Sequence, residues 1–143
     1  MTQLKPPSRR IFIADDDPDD LDLYKEIIAG IPGNIIECFA DGKYLYDYLL
    51  LVPAIELPDL IILDINMPLW TGQRTVEAIR KIDRLERIRI VMLTTSRFEQ
   101  DNALWRGLNI PMYTKASSYC SMKELFHYLL AGENHKNGAE FQI

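Results

Sequence analysis

The segment Asp59-Leu60-Ile61-Ile62-Leu63-Asp64-Ile65-Asn66-Met67-Pro68 constrains this chain most. Leu60 to Leu63 show no alternation with polar residues, which suits a strand covered on both faces, the usual state in a parallel sheet packed between helices. Such a strand delivers Asp64 at its carboxyl end, where open parallel sheets bind ligands. Pro68 cannot extend the ladder of hydrogen bonds, so the chain after Asp64 leaves the sheet as a loop of fixed shape.

The flanking segments repeat the same alternation. Ile11 to Ala14 is an apolar strand stopped by Asp15-Asp16-Asp17-Pro18-Asp19-Asp20; Asp17 suits a helix cap and Pro18 the first turn. That helix faces inward through Leu23, Tyr24, Ile27 and Ile28 and ends between Gly30 and Gly33. A second strand, Ile35 to Phe39, precedes a helix opened by Asp41-Gly42 with Leu45, Leu49 and Val52 inward, and then a loop from Pro53 to Pro58. Thr71-Gly72 opens a third helix with Val76, Ile79 and Ile82 inward. Ile88 to Leu93 is a fourth strand breaking into Thr94-Thr95-Ser96, and Arg97 to Gly107 a fourth helix. Met112 to Thr114 is a short fifth strand ending at Lys115. Cys120 to Ala131 is the last helix, with Met122, Leu125, Phe126 and Leu129 inward.

Five alternations without a repeat predict one α/β domain, a doubly wound five-stranded parallel sheet with five helices. Its bounds are 9–131, after a flexible lead over 1–8 and before a polar tail over 132–143. A chain of 143 residues supports one full core. Right-handed crossovers place every strand's carboxyl end on one edge of the sheet. Asp15, Asp16, Asp64, Thr94 and Lys115 are therefore expected to converge on one cleft.

Clustered carboxylates repel one another unless a cation sits among them. Magnesium, which uses one or two carboxylates together with waters and a phosphate, fits such a site better than a closed calcium cage. A hydroxyl at Thr94 and an ammonium at Lys115 would meet the oxygens of a transferred phosphoryl group. Asp64 itself suits a nucleophile that forms an acyl phosphate. The bland alternatives are helix capping for Asp15 to Asp20 and a solvated surface charge for Lys115.

These residues resemble the receiver domain of two-component response regulators, from about Arg9 to Ala131. The likeness is carried by the acidic pair in Ile11-Phe12-Ile13-Ala14-Asp15-Asp16-Asp17-Pro18, by Leu63-Asp64-Ile65-Asn66-Met67-Pro68 with Gly72 eight residues past Asp64, by Thr94-Thr95 and by Lys115. The front sequence Asp-Asp-Asp-Pro-Asp-Asp and Thr-Thr-Ser after the fourth strand resemble the single-domain cyanobacterial phytochrome regulators. The resemblance implies a flavodoxin-like receiver fold with Asp64 as phosphoacceptor and a Mg²⁺ site of Asp15, Asp16, Asp64 and the Asn66 backbone carbonyl. It further implies Thr94 as switch hydroxyl, Lys115 as the partner of the phosphoryl oxygens, and Thr95 as the residue tuning access. A sensor histidine kinase or phosphotransfer protein would supply the phosphoryl group, and a downstream protein would read the changed surface.

Two positions depart from the family pattern. Met112 stands where an aromatic switch residue is usual, and Ala116 follows Lys115 where a proline with a cis bond is usual. A cis bond before a residue other than proline costs about 2.5–4 kcal/mol, so a trans bond is expected here. The family's usual output face, formed by the fourth helix, fifth strand and fifth helix, would carry Phe98, Trp105, Tyr119 and Tyr128 and could seat a partner or form a homodimer. With no output domain expected after Ala131, the chain acts through that surface and not as an enzyme.

Two other readings compete with this one. A haloacid dehalogenase-like phosphatase wants a second aspartate where this chain has Asn66. A pseudo-receiver would bind partners without phosphorylation. The net charge of −5 argues against nucleic-acid binding. No run approaches the roughly 20 apolar residues of a membrane span, and the amino terminus lacks a signal-peptide core. A cytoplasmic location is the default. Cys38 and Cys120 are expected as reduced, packed thiols, and His127 and His135 have no site-like spacing.

Overall fold

A computed structural model describes residues 9–95, 107 and 110–131. The five strands are β1 (Arg9–Ala14), β2 (Asn34–Phe39), β3 (Leu60–Asp64), β4 (Arg89–Thr94) and β5 (Met112–Thr114). All pair in parallel in the order β2-β1-β3-β4-β5. Helices α1 (Pro18–Ala29), α2 (Gly42–Leu51), α3 (Gly72–Arg80) and α4 (Tyr119–Leu130) cover its faces, with 3-10 turns at Ala54–Glu56 and Asp83–Leu85. The doubly wound parallel sheet is thus as the sequence predicts. The described residues show four α-helices rather than five, because the helix expected over Arg97 to Gly107 lies outside them except for Gly107.

Local chemistry sets the ends of the elements. Asp17 caps α1, accepting from the Asp19 backbone N–H, with Pro18 at the first helical position. Asp41 caps α2, Thr71 caps α3 and Ser118 caps α4, each through its side chain. The chain leaves α1 through Gly33, whose φ of 85° is a conformation that side chains disfavour.

The sheet is buried on both sides, which is why its central strands read as unbroken apolar runs. On one face Phe12, Ile61, Leu63, Ile90 and Met92 pack against Leu45, Leu49, Val76 and Ile79 of α2 and α3. On the other, Ile11, Ile13, Ile62, Val91 and Tyr113 pack against Tyr24, Ile27, Leu125, Phe126 and Leu129 of α1 and α4. Two expectations change in detail. Ile82 falls beyond α3 and is only partly buried, since the helix ends at Arg80. Cys120 is exposed rather than packed, because the inward stripe of α4 runs through Met122, Leu125, Phe126 and Leu129; Cys38 is half-buried, and both thiols are free.

Candidate functional site

At the carboxyl edge of the sheet Asp15 and Asp16 follow directly on β1, and β3 ends in Asp64. One carboxylate oxygen from each of the three lies within 4.8 Å of the others. Asp15 is buried at 1% exposure, Asp16 is exposed, and Asp64 lies between. Hard oxygen donors at this spacing suit a divalent cation, so the residues present fit a magnesium or manganese site.

Lys115, delivered by the end of β5, reaches into this cluster. Its Nζ donates to Asp15 Oδ2 at 2.8 Å and to Asp20 Oδ2 at 2.9 Å and lies 3.7 Å from Asp64 Oδ2. The backbone N–H of Lys115 donates to the Thr94 carbonyl at 2.7 Å, tying the start of this loop to the end of β4. Asp15 is held from two further directions, by the Asp17 backbone N–H at 3.0 Å and the Tyr24 hydroxyl at 3.0 Å. Its orientation is therefore fixed before any ligand arrives.

Electrostatics follow from this crowding. Burial first, then the charge of Asp15, raises Asp64 to about 7; Lys115 and the Ile65 backbone N–H oppose the rise and Asp16 adds to it. Burial works to lower the Lys115 pKa, but its hydrogen bonds to Asp15 and Asp20 outweigh that and leave the ammonium firmly charged. Burial and the neighbouring Asp15 push the Tyr24 hydroxyl well above its ordinary range, so it remains a donor.

Asp15, Asp16, Asp64 and Lys115 thus meet in one cluster. Thr94 is buried at the end of β4, one residue beyond Leu93, which pairs with Asp64 across the ladder. Asn66 is exposed two residues past Asp64, and Thr95 is exposed beside Thr94. Met112 is half-buried against the α2–α3 core, whereas Tyr113 is buried on the opposite face against α4. All described peptide bonds are trans, including that between Lys115 and Ala116. Of the residues expected on the output face, Tyr119 is exposed and Tyr128 is packed against the core, while Phe98 and Trp105 lie outside the described residues.

Sequence reasoning passed over three supporting residues. Asp20 and Tyr24 stand four residues apart on one face of α1, and that spacing was the available signal. The third, Asp41, is buried at 1% and does more than cap α2: it accepts from Lys43 N at 3.0 Å, Leu69 N at 2.9 Å and Trp70 N at 2.9 Å. It therefore clamps the loop that follows Asp64. Replacing Asp41 by Asn leaves one oxygen for three donors, and we expect a loss of about 2 kcal/mol in urea-induced unfolding.

Comparison with known proteins agrees with this geometry. The family model described as response regulator receiver domain matches residues 11–115. The response regulator Rcp1 of Synechocystis sp. is 36% identical over 69 residues, covering 48% of this chain and 46% of Rcp1. The response regulator GtcR of Aneurinibacillus migulanus is 30% identical over 101 residues, covering 71% of this chain and 38% of GtcR. These matched segments span less than half of each curated relative. Among solved structures, the phosphorylated cyanobacterial phytochrome response regulator RcpA superposes with a TM-score of 0.75 at 26% identity, covering 88% of this chain and 97% of RcpA. The Mn²⁺-bound form of Rcp1 gives 0.73 at 25% identity, covering 85% and 94%. Strand order, acidic cluster and sequence match converge: the chain belongs to the response regulator receiver domain family.

Proposed function

We propose that Asp64 accepts a phosphoryl group from a histidine kinase or phosphotransfer protein and that the modified surface signals to a downstream protein. The observation that carries this reading is the meeting of Asp15, Asp16 and Asp64 within 4.8 Å, with the Lys115 ammonium 3.7 Å from Asp64. A carboxylate oxygen of Asp64 attacks phosphorus while the bond to the donor's nitrogen or oxygen breaks, leaving an acyl phosphate and the freed donor. Asp15, Asp16 and Asp64, with the Asn66 carbonyl, would hold Mg²⁺, which would neutralise phosphoryl charge during transfer. Lys115 carries a fixed positive charge toward the same oxygens, and Thr94 supplies a hydroxyl from the neighbouring strand end. With Met112 in place of an aromatic residue, the response to phosphorylation runs through Thr94, either without a rotamer switch or with Met112 in that role. The phosphorylated state of RcpA and the Mn²⁺-bound state of Rcp1 support this reading by analogy.

Intact-mass measurement after incubation with acetyl phosphate tests it. The wild type should gain one phosphoryl group only when Mg²⁺ is present, and Asp64→Asn should gain none. Wild-type protein that stays unmodified beside a labelled control receiver would remove the phosphoacceptor role and favour a phosphorylation-independent binding module.

A further inference from the structure

Asp19 and Asp20 both stand in the first turn of α1, where negative charge complements the helix dipole. For exposed Asp19 that account is sufficient. The side chain of Asp20 is only 32% exposed, and its Oδ2 accepts from Lys115 Nζ at 2.9 Å. An acid at this third helical position commonly reaches back to the backbone N–H of the cap residue. Here the Asp17 N–H already donates to Asp15 Oδ1 at 3.0 Å, so the Asp20 carboxylate serves the lysine instead.

An ammonium has three N–H donors. Lys115 gives one to Asp15 Oδ2 at 2.8 Å and one to Asp20, and it stands 3.7 Å from Asp64 Oδ2, beyond hydrogen-bond range. Its main chain is tied to the Thr94 carbonyl, so these carboxylates decide where the ammonium rests. Against burial, which lowers its pKa, Lys115 is held charged by its hydrogen bonds to Asp15 and Asp20, ahead of the charge of Asp64. Asp15 is itself one of the three residues whose carboxylate oxygens lie within 4.8 Å of one another. Asp20 is the partner that stands outside that group, on α1.

We infer that Asp20 is a positioning residue for the phosphoacceptor: by holding Lys115 toward α1 it keeps the ammonium from closing on Asp64, and so leaves that carboxylate open to a divalent cation and to a phosphoryl donor. The inference rests on the reading of Asp64 as phosphoacceptor. Without Asp20 the ammonium has a donor to spare, and Asp64 is the nearest carboxylate not already bonded to it. A movement of about 1 Å brings the two into hydrogen-bond contact. That bond would be charge-assisted and partly buried, since the two side chains are 13% and 12% exposed, and it would engage the carboxylate that must attack phosphorus.

Asp20→Asn tests this, with Asp19→Asn as the variant of equal charge. In a crystal structure of metal-free Asp20→Asn at pH 8, Lys115 Nζ should lie about 2.8 Å from an Asp64 oxygen. In the wild type and Asp19→Asn it should stay near 3.7 Å. Labelling by acetyl phosphate at saturating Mg²⁺ should be about three- to tenfold slower in Asp20→Asn and within about twofold of the wild type in Asp19→Asn. Plain loss of a negative charge beside an anionic donor would instead speed the reaction. On a Lys115→Met background, adding Asp20→Asn should cause no further slowing. Asp20→Asn that labels as fast as the wild type or faster overturns the inference. So does a Lys115 that stays near 3.7 Å from Asp64 in that variant, or a slowing that persists without Lys115. Asp20 is partly exposed in a first turn, so its replacement should leave the fold intact; Asp20→Ser supplies the same readings if Asp20→Asn does not fold. Should the wild type take no label, the phosphoacceptor reading fails, and the crystallographic distance alone decides whether Asp20 positions Lys115.

Discussion

Stripped of divalent cations at pH 8, Asp64→Asn should melt roughly 5–10 °C above the wild-type protein, and the gap should close on acidification to pH 4. Asp64 is raised to about 7 in the folded chain, by burial first and by Asp15 next. An unfolded aspartate titrates near 3.9. A carboxyl whose folded pKa is raised favours folding most below its unfolded pKa, and that contribution is lost as pH rises through about 7. The wild type therefore loses a few kcal/mol between pH 4 and pH 8 relative to a variant that cannot ionise there. Asp64 still interacts with Lys115 at 3.7 Å, which is why the expected gap falls short of full burial of an unpaired charge. Added Mg²⁺ should narrow the gap by stabilising the wild type more than Asp64→Asn, since only the wild type offers all three carboxylates. Differential scanning calorimetry at the two pH values, with EDTA and with Mg²⁺, reads each part. An equal gap at pH 4 and pH 8 would mean that replacing Asp64 acts through packing and not through charge.

The same cluster shows how far the sequence reaches. Asp15, Asp16, Asp64 and Lys115 are legible because each ends an apolar strand, and parallel topology alone sends all strand ends to one edge. The helix starts are legible for an equally local reason: Asp17-Pro18, Asp41-Gly42 and Thr71-Gly72 carry cap chemistry within a few residues. What escapes is the network around the cluster. Asp20 holds Lys115 across 95 positions and Asp41 holds Leu69 and Trp70 across 28 and 29, distances at which nothing in the residue pattern marks a partner. The exposed apolar side of α2 escapes for a different reason. Tyr44, Leu45, Tyr48, Leu49 and Leu51 make a helix apolar on more than one side, and hydrophobicity cannot say which side the sheet takes. The structure gives Leu45 and Leu49 to the core and leaves Tyr44 and Leu51 outside.

Gly72→Ala should cost about 3 kcal/mol in denaturant unfolding and slow phosphorylation of whatever folded protein remains. Gly72 is the first residue of α3, and its backbone N–H donates to the Ile65 carbonyl at 2.8 Å, drawing the helix start against the end of β3. A Cβ there would stand 2.6 Å from the Asp64 backbone oxygen, 2.7 Å from Met92 Cε and 3.2 Å from Ile65 Cα. Met92 can yield by rotating its flexible thioether. The Asp64 carbonyl cannot yield so easily, because it belongs to a central strand paired on both sides at its core. Relief must come from moving α3 away or from bending the strand end that carries Asp64, and either loosens the loop from Ile65 to Trp70. A displaced Asp64 would change its 3.7 Å spacing to Lys115, so the labelling rate with acetyl phosphate should fall even where circular dichroism reports a folded protein. Gly42→Ala offers the comparison: its Cβ would meet the Thr75 side chain at 2.0 Å, with no backbone atom of β3 among its nearest neighbours. That variant should lose stability through α2–α3 packing while its folded fraction labels at the wild-type rate. Equal labelling by the folded fractions of both variants would show that Gly72 serves packing alone.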